Sequence, residues 1–384
     1  MIDAYTHPIL ERNNAHMTSP SIRKATDRLY VIAQSPGMAV VDLYDDGSAE
    51  LFPGSPFKSG SGGVDLRVTP NGKYLLAPAG WGLPMGGGMR QTFKPEIGVY
   101  RVEDDGSVTD VFKYRFNRLI TPLGTETAAN GRDVYVGMGH GLAGMFGGSI
   151  QHFHLSEDGV LSPASRRRRL GKFSHGLIQP KISPDGTKIY VISAITNTIL
   201  TYDLEPDGSI GGLIHELRVS GKTPVNPVYS PDKRFLFTAN ENSSSIGVLE
   251  IGPNGLLTEI PTSPFPAGGA VHNPTFSRDG KYVWAGNPID ETISGYSLRE
   301  NGELIALPGS PYPSPGVAMD FAQSSNGKWL FVTGSPVKAL KWPVKLVSFE
   351  IQEDGSLVRS QHPAVPLGLK FEDGPTSISF PITE

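Results

Sequence analysis

Residues 183–209 read SPDGTKIYVISAITNTILTYDLEPDGS, and this stretch decides the fold. It opens on the turn Pro184-Asp185-Gly186 and runs into an apolar, β-branched and aromatic strand, Ile189-Tyr190-Val191. After a short loop it continues as Ile199-Leu200-Thr201-Tyr202-Asp203-Leu204 into a second turn, Asp207-Gly208-Ser209. An Asp-Gly or Asn-Gly pair between apolar alternating runs signals a β-hairpin, and a two-residue turn there needs positive φ at both central positions. Working outward, the second turn occurs seven times, with its glycine at Gly47, Gly106, Gly159, Gly208, Gly255, Gly302 and Gly355, spaced by 59, 53, 49, 47, 47 and 53 residues. The first turn recurs at Thr69-Pro70-Asn71-Gly72, Asn130-Gly131, Ser230-Pro231-Asp232-Lys233, Ser277-Arg278-Asp279-Gly280 and Ser325-Asn326-Gly327. Apolar runs such as Val134-Tyr135-Val136 and Phe235-Leu236-Phe237 follow it.

A period of this length marks units that cannot bury an apolar face alone and must stack on their neighbours. Each unit reads as inner strand, turn, second strand, loop, third strand, turn, outer strand. The expected fold is all-β: a seven-bladed β-propeller of four-stranded antiparallel blades. No segment carries the caps and 3.6-residue period of a substantial helix. Residues 1–20 read as a polar leader and 21–384 as one propeller domain. The unit at Leu29-Tyr30-Val31 lacks an inner strand, and Gly374-Pro375-Thr376-Ser377-Ile378-Ser379-Phe380 matches the inner-strand pattern of Thr223–Tyr229. The C-terminal strand is therefore expected to close the ring in blade one, with Ser21–Lys24 as the competing segment. Closure removes two exposed sheet edges.

The chain has 384 residues, 46 Gly, 33 Pro, 19% charged residues, a net charge of −4 and no cysteine. Disulfides, thiolate metal sites and thiol nucleophiles are excluded. The mild acidity argues against a nucleic-acid or membrane partner, and no run approaches a membrane span. Met1–Asn14 lacks the apolar core of a signal peptide, so a cytoplasmic location is expected. The basic run Arg166–Arg169 falls on an outer strand, where charge protects a sheet edge or, alternatively, binds anions.

The repeat unit resembles that of the seven-bladed lactonase family, which includes bacterial 6-phosphogluconolactonase and fungal carboxy-muconate cyclase. The matching features are Ser183–Val191, Ile199–Ser209, and the outer-strand endings Gly54-Ser55-Pro56-Phe57, Thr262-Ser263-Pro264-Phe265 and Gly309-Ser310-Pro311-Tyr312. These scaffold motifs cover the chain from about residue 27. The resemblance also implies roles for Asn240-Glu241, which matches a family Asn-Glu pair, and for His175, the one histidine kept from a family His-x-His. The family's Arg-His pair is absent at Pro224-Val225-Asn226.

Aligning inner strands on their turns places Asp65, Gly124, Gln179, Asn226, Asn273, Asp320 and Ser377 around the channel mouth. Asp65, Asp320 and Asn273, with Asn226, are the oxygen donors a Ca²⁺ ion would use; the alternative is that they bond neighbouring strands and water, with no cofactor at all. Two residues further on, Arg67, Glu126 and Lys181 either receive an anionic substrate or neutralise one another. His140, His175 and His272 fall on the loop face, whereas His152 and His154 read as surface or inter-blade residues. Neither a zinc-hydrolase nor a serine-hydrolase signature is present. This leaves acid–base chemistry by Glu241, His175 and His272, with Arg67, Arg90, Glu126, His140, Lys181 and Asn226 holding a small-molecule substrate. Three functions fit this reading: a hydrolase of small anionic or lactone substrates, a cyclase or isomerase, and a binding propeller presenting aromatics such as Trp81, Phe93 and Trp342.

Overall fold

The computed structural model of the chain describes residues 23–33, 37–59, 65–79, 95–141, 146–171, 175–314, 316–335, 342–371 and 376–381. They form seven antiparallel sheets of four or five strands, which are the seven blades, with one 3₁₀ turn. The inner strands of blades 1 to 7 are Thr376–Pro381, Arg67–Val68, Ile120–Thr127, Ile178–Ile182, Pro224–Tyr229, His272–Phe276 and Val317–Gln323. Thr376–Pro381 pairs antiparallel with Asp27–Ile32, Asp27 lying opposite Pro381, so the two occupy the first and second places of blade 1. Blades 3, 5, 6 and 7 each gain a fifth strand; in blade 3 it is Arg168–Arg169, from the basic run, paired with Ser149 and Ile150.

The core is a set of seams between blades. Seven apolar clusters are found among the described residues; six join two successive blades and one, centred on blades 5 and 6, also takes in Ala194 of blade 4. Tyr30 and Val40 meet Leu75 and Tyr100 between blades 1 and 2, and Leu29 and Val41 meet Phe331 and Leu346 between blades 7 and 1. A blade is thus apolar on both faces, as a repeat that depends on its neighbours must be.

The hairpin turns differ from the expected two-residue form. In Tyr44–Ser48 the Gly47 N–H donates to the Tyr44 carbonyl at 2.9 Å and the Tyr44 N–H to the Ser48 carbonyl at 3.1 Å. Only the glycine has positive φ, +82°. This is a three-residue loop: a type I turn followed by a left-handed glycine bulge. The acidic residue need not enter the left-handed region, because its side chain works from the right-handed one. Asp46 Oδ1 accepts the Ser48 N–H at 2.9 Å, and the same bond forms at Asp105–Ser107, Asp207–Ser209 and Asp354–Ser356. The Ser107, Ser209 and Ser356 hydroxyls, and then their N–H groups, hold Asp105, Asp207 and Asp354 below the usual carboxylate range. A depressed folded-state pKa gives stability that is full above the unfolded value and lost as pH falls through the folded one. Repeated around the ring, these turns are expected to loosen together below about pH 4, read as a Tm that drops with acid in that range.

The first turn has its own device. Ser230 Oγ accepts the Phe235 N–H at 3.0 Å and donates to Asp232 at 2.6 Å, and Ser183, Ser277 and Ser324 repeat the pattern. The position filled by Gly186, Gly280 and Gly327 at φ of +73°, +74° and +73° is taken in blade 5 by Lys233 at +58°. A side chain there costs about 1–2 kcal/mol, of which Gly gives back part through unfolded-chain entropy. Lys233→Gly is expected to stabilise the protein by roughly 0.5–1 kcal/mol; an unchanged or lowered denaturation midpoint would contradict the strain.

Candidate active site at the channel mouth

Second strands hand over to third strands at the same end of the ring where the chain enters each inner strand. There Glu241 opens the 3₁₀ turn Glu241–Ser243 that follows the second strand of blade 5, Phe235–Asn240. The turn is pinned to the segment entering its own blade. Glu241 N–H donates to the Thr223 carbonyl at 3.1 Å, and Asn242 Nδ2 to Thr223 Oγ1 at 2.7 Å. Thr223, at φ +59°, is held in turn by its N–H on Asn197 Oδ1 of blade 4 at 2.8 Å.

His272 begins the inner strand of blade 6, and its Nε2 lies 2.8 Å from Glu241 Oε1. The two side chains are 20% and 28% exposed, enough for a substrate to reach them. A carboxylate only accepts, so Nε2 carries the proton and Nδ1 keeps its lone pair. A β-bulge aims the imidazole. In blade 4 a single residue, Gln179, pairs with Ile192, whereas in blade 6 His272 pairs with Gly286 and an additional residue, Asn273, precedes the next pair, Thr275 with Trp284. Blade 5 has the same irregularity after Val225, and the inner strands of blades 3 and 7 shift register after Pro122 and Ala318. The additional residues Asn226 and Asn273 sit at φ of +50° and +45°, which Asn tolerates better than most side chains. Gly286, opposite His272, is required because a Cβ there would lie 2.1 Å from the Ala318 carbonyl oxygen of blade 7.

The other polar residues around the channel bind blades to one another. Asp65 Oδ2 accepts the Thr125 N–H at 3.4 Å, Gln179 Oε1 the Asn226 N–H at 2.7 Å, and Asn273 Nδ2 donates to the Met319 carbonyl at 2.7 Å. Asp65 also bonds Arg67 at 3.2 Å, and Asp320 Oδ1 accepts the Phe321 N–H at 2.9 Å. Of the groups expected to converge on Ca²⁺, Asp65 thus has a seam partner for its oxygen, Asn273 is tied across a seam through its amide nitrogen, and Asp320 Oδ1 is taken by the next residue of its own strand. Asn226 Oδ1 is the exception, buried and without a hydrogen bond among the described residues. Lys181 pairs with Glu126 at 3.0 Å, and Asp65 first, then Glu126 and Asp320, hold Arg67 in its charged form against burial. The Arg67 Nη groups make no further bond among the described residues.

Two expectations need revision. His175 is buried and its Nδ1 bonds Thr196 Oγ1 at 2.9 Å; burial has taken it into the blade rather than to Glu241. His140 bonds Ser149 Oγ at 2.8 Å and lines a concavity of about 690 Å³ with Leu119, Phe146, Arg167 and Arg169, at the rim of blade 3 and apart from Glu241 and His272. Burial, then Arg167 and Arg169, keep its pKa below the ordinary histidine value. His152 lies at the seam with blade 4, next to Gly208, and His154 is 41% exposed, in keeping with the inter-blade and surface reading; both also meet Asp133. Arg90, Trp81, Phe93 and the Trp342 side chain lie outside the described residues. Sequence reasoning missed Thr223 and Asn197; their only signal is a loop residue ahead of each strand that must adopt positive φ.

Removing the ammonium from the Lys181–Glu126 pair leaves a half-buried carboxylate unpaired, which is costlier than removing both charges. Lys181→Met is expected to lower stability by about 1–3 kcal/mol, with Glu126→Gln in the same chain restoring part of it. Additive losses in urea denaturation would show that the pair is not coupled.

Residues 176–273, which include both Glu241 and His272, match the family described as Lactonase, 7-bladed beta-propeller. No curated protein matches the chain by sequence. Among solved structures, a protein assigned as a 6-phosphogluconolactonase from Bacteroides uniformis aligns over 92% of this chain and 100% of its own, with TM-score 0.73 and 17% identity. The periplasmic gluconolactonase PpgL of Pseudomonas aeruginosa aligns over 90% and 98%, with TM-score 0.74 and 17% identity. A second Bacteroides structure so assigned, from Bacteroides fragilis, covers 94% and 100% at TM-score 0.72 and 17% identity. The chain is similar to the seven-bladed lactonase propellers, in sequence over residues 176–273 and in fold over 90–92% of its length.

Proposed function

We propose that the protein is a lactonase-like hydrolase that opens a small, anionic lactone at the channel mouth, with Glu241 and His272 as its acid–base pair. The observation that carries this reading is the 2.8 Å contact between Glu241 Oε1 and His272 Nε2, brought about by a bulge in an otherwise regular inner strand. A carboxylate that fixes the tautomer of a histidine leaves the far nitrogen free to work as a base. His272 Nδ1 takes a proton from water as the water oxygen attacks the lactone carbonyl carbon. The acyl C–O bond of the tetrahedral intermediate then breaks, and the departing ring oxygen takes the proton from Nδ1. Water has been added across one C–O bond, and the imidazole is neutral again. Glu241 stabilises the imidazolium that exists between the two transfers. Deeper in the channel, Arg67 offers its Nη groups to a carboxylate or phosphate on the substrate. The same pair run backwards closes a hydroxy acid to a lactone, so one site serves hydrolysis and cyclisation.

Glu241→Gln keeps the shape but offers His272 an amide that can donate, which disfavours the required tautomer. Both Glu241→Gln and His272→Gln are expected to lower kcat by roughly 10²–10⁴-fold with little change in Tm. The double variant should lose little more, because residues acting as a unit are not additive. The assay follows proton release from a panel of five- and six-membered sugar and hydroxy-acid lactones, with and without a phosphate. Full activity in either single variant, or a wild type inert to the whole panel, would overturn the reading.

A further inference from the structure

The opposite end of the ring holds a second cluster that the lactone chemistry does not use. Asp133 begins the second strand of blade 3, Asp133–His140, and lies opposite His154 on the third strand, Gly148–Leu155. His152, two residues earlier on that strand, shares the face. All three side chains therefore converge beside the turns, far from the loops that carry Glu241. His152 Nε2 lies 2.9 Å and His154 Nδ1 2.8 Å from Asp133 Oδ1. We propose that Asp133, His152 and His154 form a binding site for a divalent transition cation of the zinc type.

The repeat supplies an internal control on the simpler explanation that the fold needs polar residues here. His152 pairs with Tyr135; at the equivalent pairing the other blades carry Val40, Val99, Thr201, Val248, Gly295 and Ser348. Small uncharged residues complete the seam in all six, so packing does not call for an imidazole. At the Asp133–His154 pairing, blades 1 and 4 place the ion pairs Arg28–Asp42 and Lys188–Asp203, which solve the charge with a flexible cation. Blade 3 uses two nitrogen donors instead.

His152 Nε2 is within hydrogen-bond distance of the Asp133 carboxylate, whereas His154 Nδ1, buried and 2.8 Å from the same oxygen, makes no hydrogen bond of good geometry among the described residues. Asp133 and His152 are almost fully buried, at 6% and 3% side-chain exposure, while His154 is 41% exposed and opens the site to solvent. Two imidazoles and a carboxylate, with a further position left to water, suit Zn²⁺ or a neighbouring first-row ion. The supporting contacts are those that orient ligands elsewhere. Asn130 Nδ2 donates to Asp133 Oδ2 at 2.6 Å, and His152 stacks on Tyr135 with ring centroids 4.9 Å apart. Ligands about 2.0–2.1 Å from a tetrahedral ion stand roughly 3.3 Å apart. The two nitrogens and Asp133 Oδ1 already lie within 4.8 Å of one another, so small shifts of these side chains would seat the ion. Arg132, mostly exposed with Nε 3.7 Å from Asp133, is the competing cation and can swing into solvent. The bound ion would join the second and third strands of blade 3 and, through Tyr135 and its bond to the Gly208 carbonyl, brace the seam with blade 4.

The test uses the full chain, stripped with chelator, dialysed, and titrated with zinc sulfate or cobalt chloride. The expected result is uptake of a single equivalent of Zn²⁺ per chain, a raised Tm, and visible d–d bands of Co²⁺ with nitrogen and oxygen ligands. His154→Gln, chosen because its half-exposed side chain is not needed for folding, should weaken uptake by roughly 100-fold and abolish the cobalt bands. Asp133→Asn should do the same. Failure of the wild type to retain either ion, or uptake and spectra unchanged in His154→Gln, would overturn the site.

Discussion

The ring is held by hydrogen bonds from six of the seven blades to the turn of the next. Tyr30, Tyr135 and Tyr190, at one position on the second strands of blades 1, 3 and 4, donate their hydroxyls to the carbonyls of Gly106, Gly208 and Gly255 at 3.0, 2.8 and 2.7 Å, and Trp284 Nε1 reaches Gly355 at 3.1 Å. Tyr74 reaches Glu157 and Trp329 Nε1 reaches Asp45 from the neighbouring position. Burial pushes the Tyr30 phenol up to about 12, so it remains a donor at any ordinary pH. Between blades 5 and 6 the bond is replaced by packing: Phe235 lies where a Cβ on Gly302 would be 2.8 Å away. The glycine of each turn thus answers two demands, a left-handed φ and a close approach by the preceding blade. A Cβ on Gly47 would lie 2.3 Å from Trp329, and one on Gly355 2.4 Å from Tyr282. The turn that closes a hairpin is also the surface on which the next seam is built.

Glu241 and His272 come from different blades and meet because one inner strand carries an additional residue and one loop is pinned through Thr223 to Asn197. Asn226 and Asn273 hold left-handed conformations in the middle of strands, a local cost that the surrounding sheet sustains. The cluster of Asp133, His152 and His154 has the opposite origin. It sits on regular pairing, and only its side chains depart from the repeat.

This difference explains what could be read from the sequence. The seven blades were legible because the glycine of each turn fixes the count. For the same reason Arg67, Glu126 and Lys181 were placed correctly as equivalents: each pairs with the residue of its second strand that matches Tyr135, namely Leu76, Tyr135 itself and Tyr190. The bulges at Asn226-Pro227 and Asn273-Pro274 escaped notice because one added residue leaves the apolar pattern on either side intact. The turn type was misjudged because Asp-Gly serves both a two-residue turn and a three-residue bulged loop, and only the backbone bonds separate them. His175 was drawn to the site by its position near an inner strand, but side-chain burial is decided by the neighbouring threonines, which no spacing rule reveals.

The pairing of Thr376–Pro381 with Asp27–Ile32 also governs the order in which the chain can assemble. Most strand contacts in this fold join segments a few tens of residues apart, and a blade such as Ile178–Arg218 can pair as it is made. Blade 1 is different, since its first and second strands are separated by about 350 residues of chain. Contacts between distant segments are slow to form because the loop-closure entropy is met before the contact rewards it. During synthesis blade 1 waits for the last of these strands with an open edge at Asp27–Ile32 and an apolar face, built on Leu29 and Val41, that only blade 7 can cover. The interval between translation of residues 27–32 and of residues 376–381 is the period in which the nascent chain is most exposed to intermolecular strand pairing.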